Sequence, residues 1–179
     1  MNILVIDVGG THIKVRATGH KTQVQIPSSP KMTANKMVAA VRKIIVGWKY
    51  DAITVGYPGL VLHGHIVGEP HNLGHGWVNF NFKKTFGSPV KIINNAMMQA
   101  LGSYRGKRML FLGLGTGLGS VIGQAGLKLL GKKKWRRHVN DVVKQLKAAL
   151  EADYVVLGGG NPPHSGSVER RTGMDANRI

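Results

Sequence analysis

The segment that most constrains the fold of this chain is its first fourteen residues, MNILVIDVGGTHIK. An apolar run ends in Asp7, a Gly9-Gly10 pair and Thr11 follow, and a second β-branched stretch begins at Ile13. This order predicts a strand, a tight turn and a returning strand. Glycines let a backbone approach a phosphate closely, and exposed turn N–H groups form a concavity that binds anions. The segment is therefore either a phosphate-binding hairpin or an ordinary hairpin with a two-glycine turn.

Polar side chains around this turn have the chemistry of a phosphate site. Mg²⁺ in phosphoryl-transfer sites is usually held by one or two carboxylates together with waters and phosphate oxygens. We therefore expect Asp7 to hold Mg²⁺, directly or through water. We expect phosphate to bind the turn through Gly9, Gly10, Thr11 and Lys14.

The rest of the chain alternates predicted strands with predicted helices, which is typical of an α/β protein. Strands are predicted over 2–8, 12–18, 22–27, 52–55, 90–93, 109–112 and 154–157, with a short hairpin in 60–67. Helices are predicted from Thr33 to Trp48, from Asn94-Asn95 to about Tyr104, and over 132–150; residues 68–88 are predicted to be loop-rich. In the last helix the predicted buried positions are Trp135, Val139, Val142, Leu146 and Leu150, and the basic run 132–138 forms its solvated N-terminal turn.

Two further glycine-rich turns follow predicted strands. The turn 113–119 reads G-L-G-T-G-L-G, and its Gly113, Gly115, Thr116 and Gly117 could wrap a polyphosphate with backbone N–H groups. A mobile glycine hairpin is the alternative. Gly158, Gly159, Gly160 and Asn161 could let the backbone approach an adenine or a ribose, although a flexible junction to the tail explains that turn equally well.

These motifs together resemble the ROK family of sugar kinases, within the actin/hexokinase-like ATPase superfamily. The segment 7–14 is similar to the first phosphate motif of the family, and 113–119 is similar to the second. Asn94-Asn95-Ala96 followed by Ala100-Leu101-Gly102 resembles the family's N-D-A…A-L-G segment, and 158–161 resembles its adenosine motif. The four occur in the family order over residues 1–161, and the likeness is strongest to glucokinases and polyphosphate glucokinases.

The resemblance implies an actin-like, ribonuclease H-like α/β fold of two lobes with the second lobe shortened. The implied lobes are 1–104 and 105–161, followed by a loosely ordered tail, 162–179. It also implies a hexose kinase that uses Mg²⁺ with ATP or polyphosphate, acts on glucose and forms a homodimer. The sugar would bind Asn72, Asn94 and Asn95, and the nucleoside would bind 158–161.

Two departures from the family pattern weaken the expected activity. Asn95 stands where the family has the aspartate that takes the proton from the sugar hydroxyl, and an amide has no useful basicity. A positioned base contributes about 10²–10⁴-fold, or ~3–5 kcal/mol of transition-state stabilisation. The family's E-x-x-H sugar motif is also missing, since no glutamate lies between Glu69 and Glu151. A non-catalytic derivative that binds sugar, nucleotide or a polyanion is therefore the alternative.

Composition limits the location and the partners. The chain has no cysteine, which excludes disulfides and thiolate metal sites, and it has neither a signal-peptide pattern nor a run of about 20 apolar residues. We therefore expect a cytoplasmic protein without membrane contact. The formal net charge of +17 attracts polyanions, but we expect only nonspecific contact with nucleic acid. The loop histidines His63, His65, His71 and His75 are expected to face solvent rather than to bind metal.

Overall fold

The computed structural model describes residues 1–113, 124–158 and 169–170, and these residues alternate strands and helices as predicted. The chain divides into two compact units, and each is described by itself. Met1–Met98 belong to the first unit, and the described residues from Gln99 onward belong to the second. Whether the functional lobes divide at residue 104, as the sequence predicts, stays a prediction.

The first unit is built on a five-stranded sheet with the order β3-β2-β1-β4-β7. Strands β1, β4 and β7 are parallel, and β2 is antiparallel to both of its neighbours. The elements in chain order are β1 (Ile3–Val8), β2 (His12–Ala17), β3 (Val24–Pro27), α1 (Ala34–Ile44), β4 (Ala52–Tyr57), β5 (Val61–Leu62), β6 (His65–Ile66), α2 (Phe82–Phe86), β7 (Val90–Asn94) and α3 (Asn95–Ser103). The predicted meander of the first three strands is confirmed.

The two faces of this sheet differ because side chains alternate along each strand. Leu4, Ile6 and Val8 are fully buried on the face that packs against α1 and Trp77 in the large core. On the opposite face Val5 packs with Ile93 and Met98. That second face also carries Asp7.

Helix α1 begins where the sequence signals predict. The Thr33 hydroxyl accepts a hydrogen bond from the Lys36 amide at 3.3 Å, which caps the helix N-terminus. Met37, Val38 and Val41 are buried, because their spacing places them on one side of the helix. The sequence prediction of this helix is confirmed, although it ends at Ile44 rather than at Trp48.

Within the segment predicted to be loop-rich, the structure contains the short helix α2. Asn81 caps its N-terminus through a 2.8 Å bond from the Lys84 amide, and Gly87 ends it in the left-handed conformation. The rest of 68–88 is loop, as the sequence predicts, and only Phe82–Phe86 are helical. The hairpin of β5 and β6 is confirmed, and its turn residues His63 and Gly64 both have positive φ angles, as a two-residue hairpin turn requires.

The second unit contains β8 (Met109–Gly113), α4 (Gln124–Ala149), β9 (Tyr154–Gly158) and β10 (Glu169–Arg170). The three strands form a parallel sheet with the order β10-β9-β8. Val139 and Val143 of α4 are buried against Val155 and Leu157 of β9. Among the described residues, no helix is both long enough and apolar enough to cross a bilayer.

Helix α4 corrects two predictions. It begins at Gln124 rather than near Lys132, so the basic run lies inside the helix instead of at its N-terminus, with Lys133, Lys134 and Arg137 exposed. Its buried stripe includes Val143 rather than Val142, and Leu150 lies just beyond the helix end and is exposed. The prediction of Val139 as a buried position is confirmed.

Candidate phosphate and sugar site

Asp7 lies at the carboxyl end of β1, between two neighbours in the sheet. Its Cα is in register with Lys14 of antiparallel β2 and with Gly56 of parallel β4. Side chains of residues directly opposite one another point to the same face of a sheet, so Asp7 and Lys14 share the second face of this sheet. Asp7 is only 5 % exposed. The sheet therefore sets a carboxylate beside an amine at the end of β1, with Gly56 as the neighbour of Asp7 on the other side.

In the Gly9-Gly10 turn there is no room for a Cβ on Gly9 and little room for one on Gly10. The Gly9 amide donates to the His12 carbonyl at 3.1 Å, and a Cβ on Gly9 would lie 2.7 Å from that same oxygen. A Cβ on Gly10 would lie 3.1 Å from the Cβ of Asn72. The phosphate turn and Asn72, predicted from separate motifs, are therefore in direct proximity, and Thr11 beside them is exposed.

Gly56 admits helix α3 to the same face as Asp7. A Cβ on Gly56 would lie 3.4 Å from the Cα of Asn95 and 2.9 Å from the Cε and Sδ atoms of Met98. Since Gly56 is the neighbour of Asp7 in the sheet, the first turn of α3 starts close to the Asp7 carboxylate. The predicted strand 52–55 stops before Gly56, whereas β4 runs to Tyr57, and a glycine inside a strand often marks such a close approach.

Asn94 and Asn95 have different surroundings. The Oδ1 atom of Asn94 accepts from the amides of Ala96 at 2.9 Å and Met97 at 3.4 Å, which caps α3 as predicted. The Nδ2 of Asn94 donates to the Gly59 carbonyl at 2.9 Å. Asn95 is the first residue of the helix and is partly exposed. Asn94 thus fixes the strand-to-helix junction, and Asn95 stands at the start of the helix that packs on Gly56, the neighbour of Asp7 in the sheet.

Glu69 is a residue that sequence reasoning did not assign to the site. Its carboxylate accepts hydrogen bonds from the amides of Gly76, Trp77 and Val78 at 3.1–3.2 Å. The Tyr57 hydroxyl donates to the Gly68 carbonyl at 2.8 Å, and burial together with the nearby Glu69 raises the pKa of Tyr57. A single acid in a loop carries no local sequence signal, because its partners lie seven to nine residues away.

In the second unit two of the predicted glycines are neighbours. Gly113 at the end of β8 is in register with Gly158 at the end of parallel β9. A Cβ on Gly158 would lie 2.5 Å from Cζ of Phe111, so this strand end also requires glycine. Gly115, Thr116, Gly117, Gly159, Gly160 and Asn161 lie outside the described residues.

The described residues suit a magnesium ion that takes most of its ligands from the phosphate substrate and from water. Within 1–113, 124–158 and 169–170 there is no group of three or more histidine, cysteine, aspartate or glutamate side chains able to form a complete metal cage. Mg²⁺ needs only one or two protein carboxylates when phosphate oxygens and waters supply the other ligands. Asp7 beside the glycine turn is a donor set of that kind.

The sequence pattern of the ROK family matches residues 3–134, most of the chain. This chain belongs to the ROK family. Among curated relatives, the N-acetylmannosamine kinases of Escherichia coli O157:H7 and Shigella flexneri are 26% identical over 155 residues. The match covers 78% of this chain and 53% of each relative, so the chain spans about half the length of the curated relatives it matches.

Solved ROK structures share the fold. The inorganic polyphosphate/ATP-glucomannokinase of Arthrobacter sp. strain KM superposes with a TM-score of 0.72 at 17% identity, covering 89% of this chain and 83% of that one. The ROK hexokinase of Thermus thermophilus gives a TM-score of 0.59 at 20% identity, covering 89% and 82%. The actin-like α/β fold class predicted from the motifs is confirmed. At these identities the likeness concerns the fold alone.

Proposed function

We propose that this chain provides the phosphate- and sugar-binding residues of a hexose kinase that transfers a phosphoryl group from ATP or polyphosphate to a sugar. The observation that carries the proposal is the register at the end of β1. It sets Asp7 beside Lys14 on one side and beside Gly56 on the other, where α3 begins with Asn95. Membership of the ROK family and the kinase names of the matched relatives support it.

The proposed chemistry depends on position and charge. In phosphoryl transfer the sugar oxygen forms a bond to phosphorus while the bond to the leaving phosphate oxygen breaks, and the protein mainly aligns the groups and stabilises their charge. Asp7 would hold Mg²⁺, which neutralises negative charge on the phosphate oxygens. The Lys14 ammonium would add a fixed positive charge, and the amides of Gly10 and Thr11 would donate to phosphate oxygens. The Gly9 amide is bonded to the His12 carbonyl, so Gly9 would contribute by letting the phosphate approach the backbone closely.

The proposed sugar contacts are Asn72 and Asn95, with Asn94 in support. Asn72 packs beside Gly10, so a sugar bound to it would lie close to the phosphate turn. Because Asn94 already uses its oxygen for the helix cap and one N–H for Gly59, it has only its second N–H to offer to a sugar hydroxyl. Its main effect would be to fix the direction of Asn95.

The donor contacts proposed for the second unit begin at paired strand ends. Gly113 and Gly158 lie side by side at the carboxyl ends of parallel strands, the usual place for ligands in such sheets. We propose that Gly113, Gly115, Thr116 and Gly117 bind the donor phosphates, and that 158–161 bind the nucleoside. The net charge of +17 favours a polyanionic donor, which supports polyphosphate beside ATP.

The sugar is proposed to be a hexose of the glucose type. The motif likeness to glucokinases favours glucose, whereas the curated relatives are kinases of N-acetylmannosamine. Both sugars present hydroxyl groups that the asparagine amides can bind. A direct comparison of the two separates these substrates.

A second candidate, a binding protein without turnover, is favoured by one observation. Asn95 stands at the family's base position, and its amide can hydrogen-bond a sugar hydroxyl but cannot accept the proton. Under this alternative the sugar and the phosphate bind and no transfer follows. The same experiment separates the two candidates.

The test measures phosphorylation of glucose and of N-acetylmannosamine, with ATP and with polyphosphate, by the wild type and by Asn95→Asp. We expect slow transfer by the wild type and an increase of about 10²–10⁴-fold in the variant. The charge-matched control is Gln145→Glu, at an exposed position of α4. Phosphorylation by Asn95→Asp but not by the wild type would favour the binding-protein alternative. If both proteins are folded and neither phosphorylates a sugar, the kinase proposal is contradicted.

A further inference from the structure

The loop that carries Asn72 is closed on itself by one side chain. Glu69 stands at its beginning, and the amides that bind the Glu69 carboxylate, those of Gly76, Trp77 and Val78, stand at its end. We call residues Glu69–Val78 the clasped loop. Its closure does not run through backbone pairing between its ends, so the carboxylate is what joins them.

The inner side of the clasped loop is anchored in the core of the first unit. Trp77 is fully buried and Leu73 is 5 % exposed, and the Gly74 amide donates to the Met32 carbonyl at 2.9 Å. A Cβ on Gly74 would lie 3.2 Å from the carbonyl carbon atoms of Lys31 and Met32. These contacts hold the middle and the end of the loop, while Glu69 fixes its beginning to its end.

The outer side of the clasped loop meets the phosphate turn. Asn72 is exposed, and a Cβ added to Gly10 would lie only 3.1 Å from the Asn72 Cβ. Asn72 lies between Glu69 and the residues that Glu69 binds. A change in the spacing of the loop ends would therefore move Asn72 relative to Gly10.

A carboxylate suits this task better than a neutral side chain. Hydrogen bonds from backbone N–H groups to an ionised acceptor are about twice as strong as bonds between neutral groups. One Glu69 oxygen, Oε1, accepts from all three amides, and Oε2 accepts from Trp77 as well. A glutamine in this position keeps one acceptor oxygen but turns an amide NH₂ group toward the Trp77 donor.

We propose that Glu69 is a positioning residue that closes the clasped loop and thereby holds Asn72 against the Gly9-Gly10 turn in the geometry that binds the sugar. The inference rests on the proposed function, since it concerns the sugar contact of that site. Glu69 touches neither substrate, so its loss weakens sugar binding without removing a substrate contact. Sub-ångström placement of such groups has large effects on binding and rate.

The experiment combines two measurements on the full chain. Amide hydrogen exchange reports the protection of Gly76, Trp77 and Val78, and calorimetry reports the affinity for glucose and for N-acetylmannosamine. The variants are Glu69→Ala and Glu69→Gln, and the matched control is Glu151→Ala, which removes an exposed glutamate paired with Arg108 in the second unit. Tripolyphosphate binding is measured as the reference for the phosphate turn.

We expect faster exchange at the three amides in Glu69→Ala and sugar binding weakened by about tenfold. Glu69→Gln should lie between Glu69→Ala and the wild type, and tripolyphosphate binding should stay unchanged in all variants. Unchanged sugar affinity in Glu69→Ala, with a wild type that binds sugar, would overturn the inference and leave the proposed function intact. A wild type that binds neither sugar would instead contradict the proposed function itself, and the inference with it.

Discussion

The two faces of the five-stranded sheet have the same backbone but different tasks. The face of Leu4, Ile6 and Val8 is fully buried in the large core beneath α1. On the opposite face, Val5 packs in a small apolar cluster with Ile93 and Met98. At the carboxyl end of β1 this face carries Asp7, with Lys14 opposite it on β2. Because side chains alternate along a strand, the six-residue strand β1 contributes to the core on one face and positions the Asp7 carboxylate on the other. Substitutions one residue apart should therefore have effects of different kinds.

The largest expected effect is that of Asp7→Asn on catalysis. The amide keeps the size of the side chain but loses the charge that would hold Mg²⁺, so we expect phosphorylation to fall by about 10²–10³-fold. Its unfolding free energy should change less than that of a core variant. The measurement is the initial rate of sugar phosphorylation, with Asp141→Asn on the exposed side of α4 as the charge-matched control. A rate equal to wild type would remove Asp7 from the proposed site.

The next largest effect is a loss of stability caused by a substitution on the core face, that of Leu4, Ile6 and Val8. Ile6→Ala leaves a cavity in the core, and we expect the unfolding free energy to fall by about 3 kcal/mol. The matched change Ile3→Ala, on the Asp7 face, removes a partly exposed side chain and should cost about 1 kcal/mol. Urea denaturation measures both. Equal losses in the two variants would contradict the division between the faces.

Gly56→Ala should moderately reduce both the stability of the fold and the binding of sugar. The new methyl group would lie 2.9 Å from the end of the Met98 side chain, which can shift, and 3.4 Å from the Cα of Asn95, which moves only with the helix. Overpacking of this kind costs about 1–2 kcal/mol of unfolding free energy. We also expect weaker sugar binding, measured by calorimetry, because the start of α3 is displaced from Asp7. Gly19→Ala is not a suitable control because of its positive φ, whereas Gly68→Ala places its Cβ in open space.

The smallest effect concerns Tyr57 at high pH. Its pKa is raised in the folded protein, first by burial and second by the charge of Glu69, so the folded state keeps the phenol proton longer than the unfolded chain does. Stability from this group is complete below a pH of about 10, and it decreases above that value by up to about 1.4 kcal/mol per pH unit. In Tyr57→Phe this decrease should be absent. Urea denaturation at pH 8 and at pH 11 measures it, and equal pH dependence in both proteins would contradict the assignment.

Much of the fold was predictable because its signals are local. The Gly9-Gly10 turn, the Thr33 cap and the Asn94 cap each act within a few residues, and all three stand where the sequence placed them. The beginning of α4 at Gln124 was missed because glycines at 126 and 131 lower the helix propensity of that stretch. Helix α2 has only five residues, too few to show a periodic pattern.

The candidate site was predictable as a set of motifs but not as an arrangement. The proximity of Asn72 to Gly10 depends on the path of a loop, and the closure of that loop by Glu69 depends on backbone amides seven to nine residues away, a spacing that matches no helix or strand period. The importance of Gly56 depends on which strand β4 pairs with and on where α3 crosses it. Such long-range contacts leave no mark in the local sequence pattern.

The most direct test of the account is a map of phosphate binding on the ¹⁵N-labelled protein. Tripolyphosphate with Mg²⁺ is titrated, and the amide chemical shifts of the first unit are followed. We predict the largest changes at Gly9, Gly10 and Thr11, and their loss in Asp7→Asn. Changes confined to exposed lysines elsewhere in the first unit, such as Lys36, Lys83 and Lys84, or changes equal in the wild type and in Asp7→Asn, would contradict the claim that the Asp7 face forms the phosphate site.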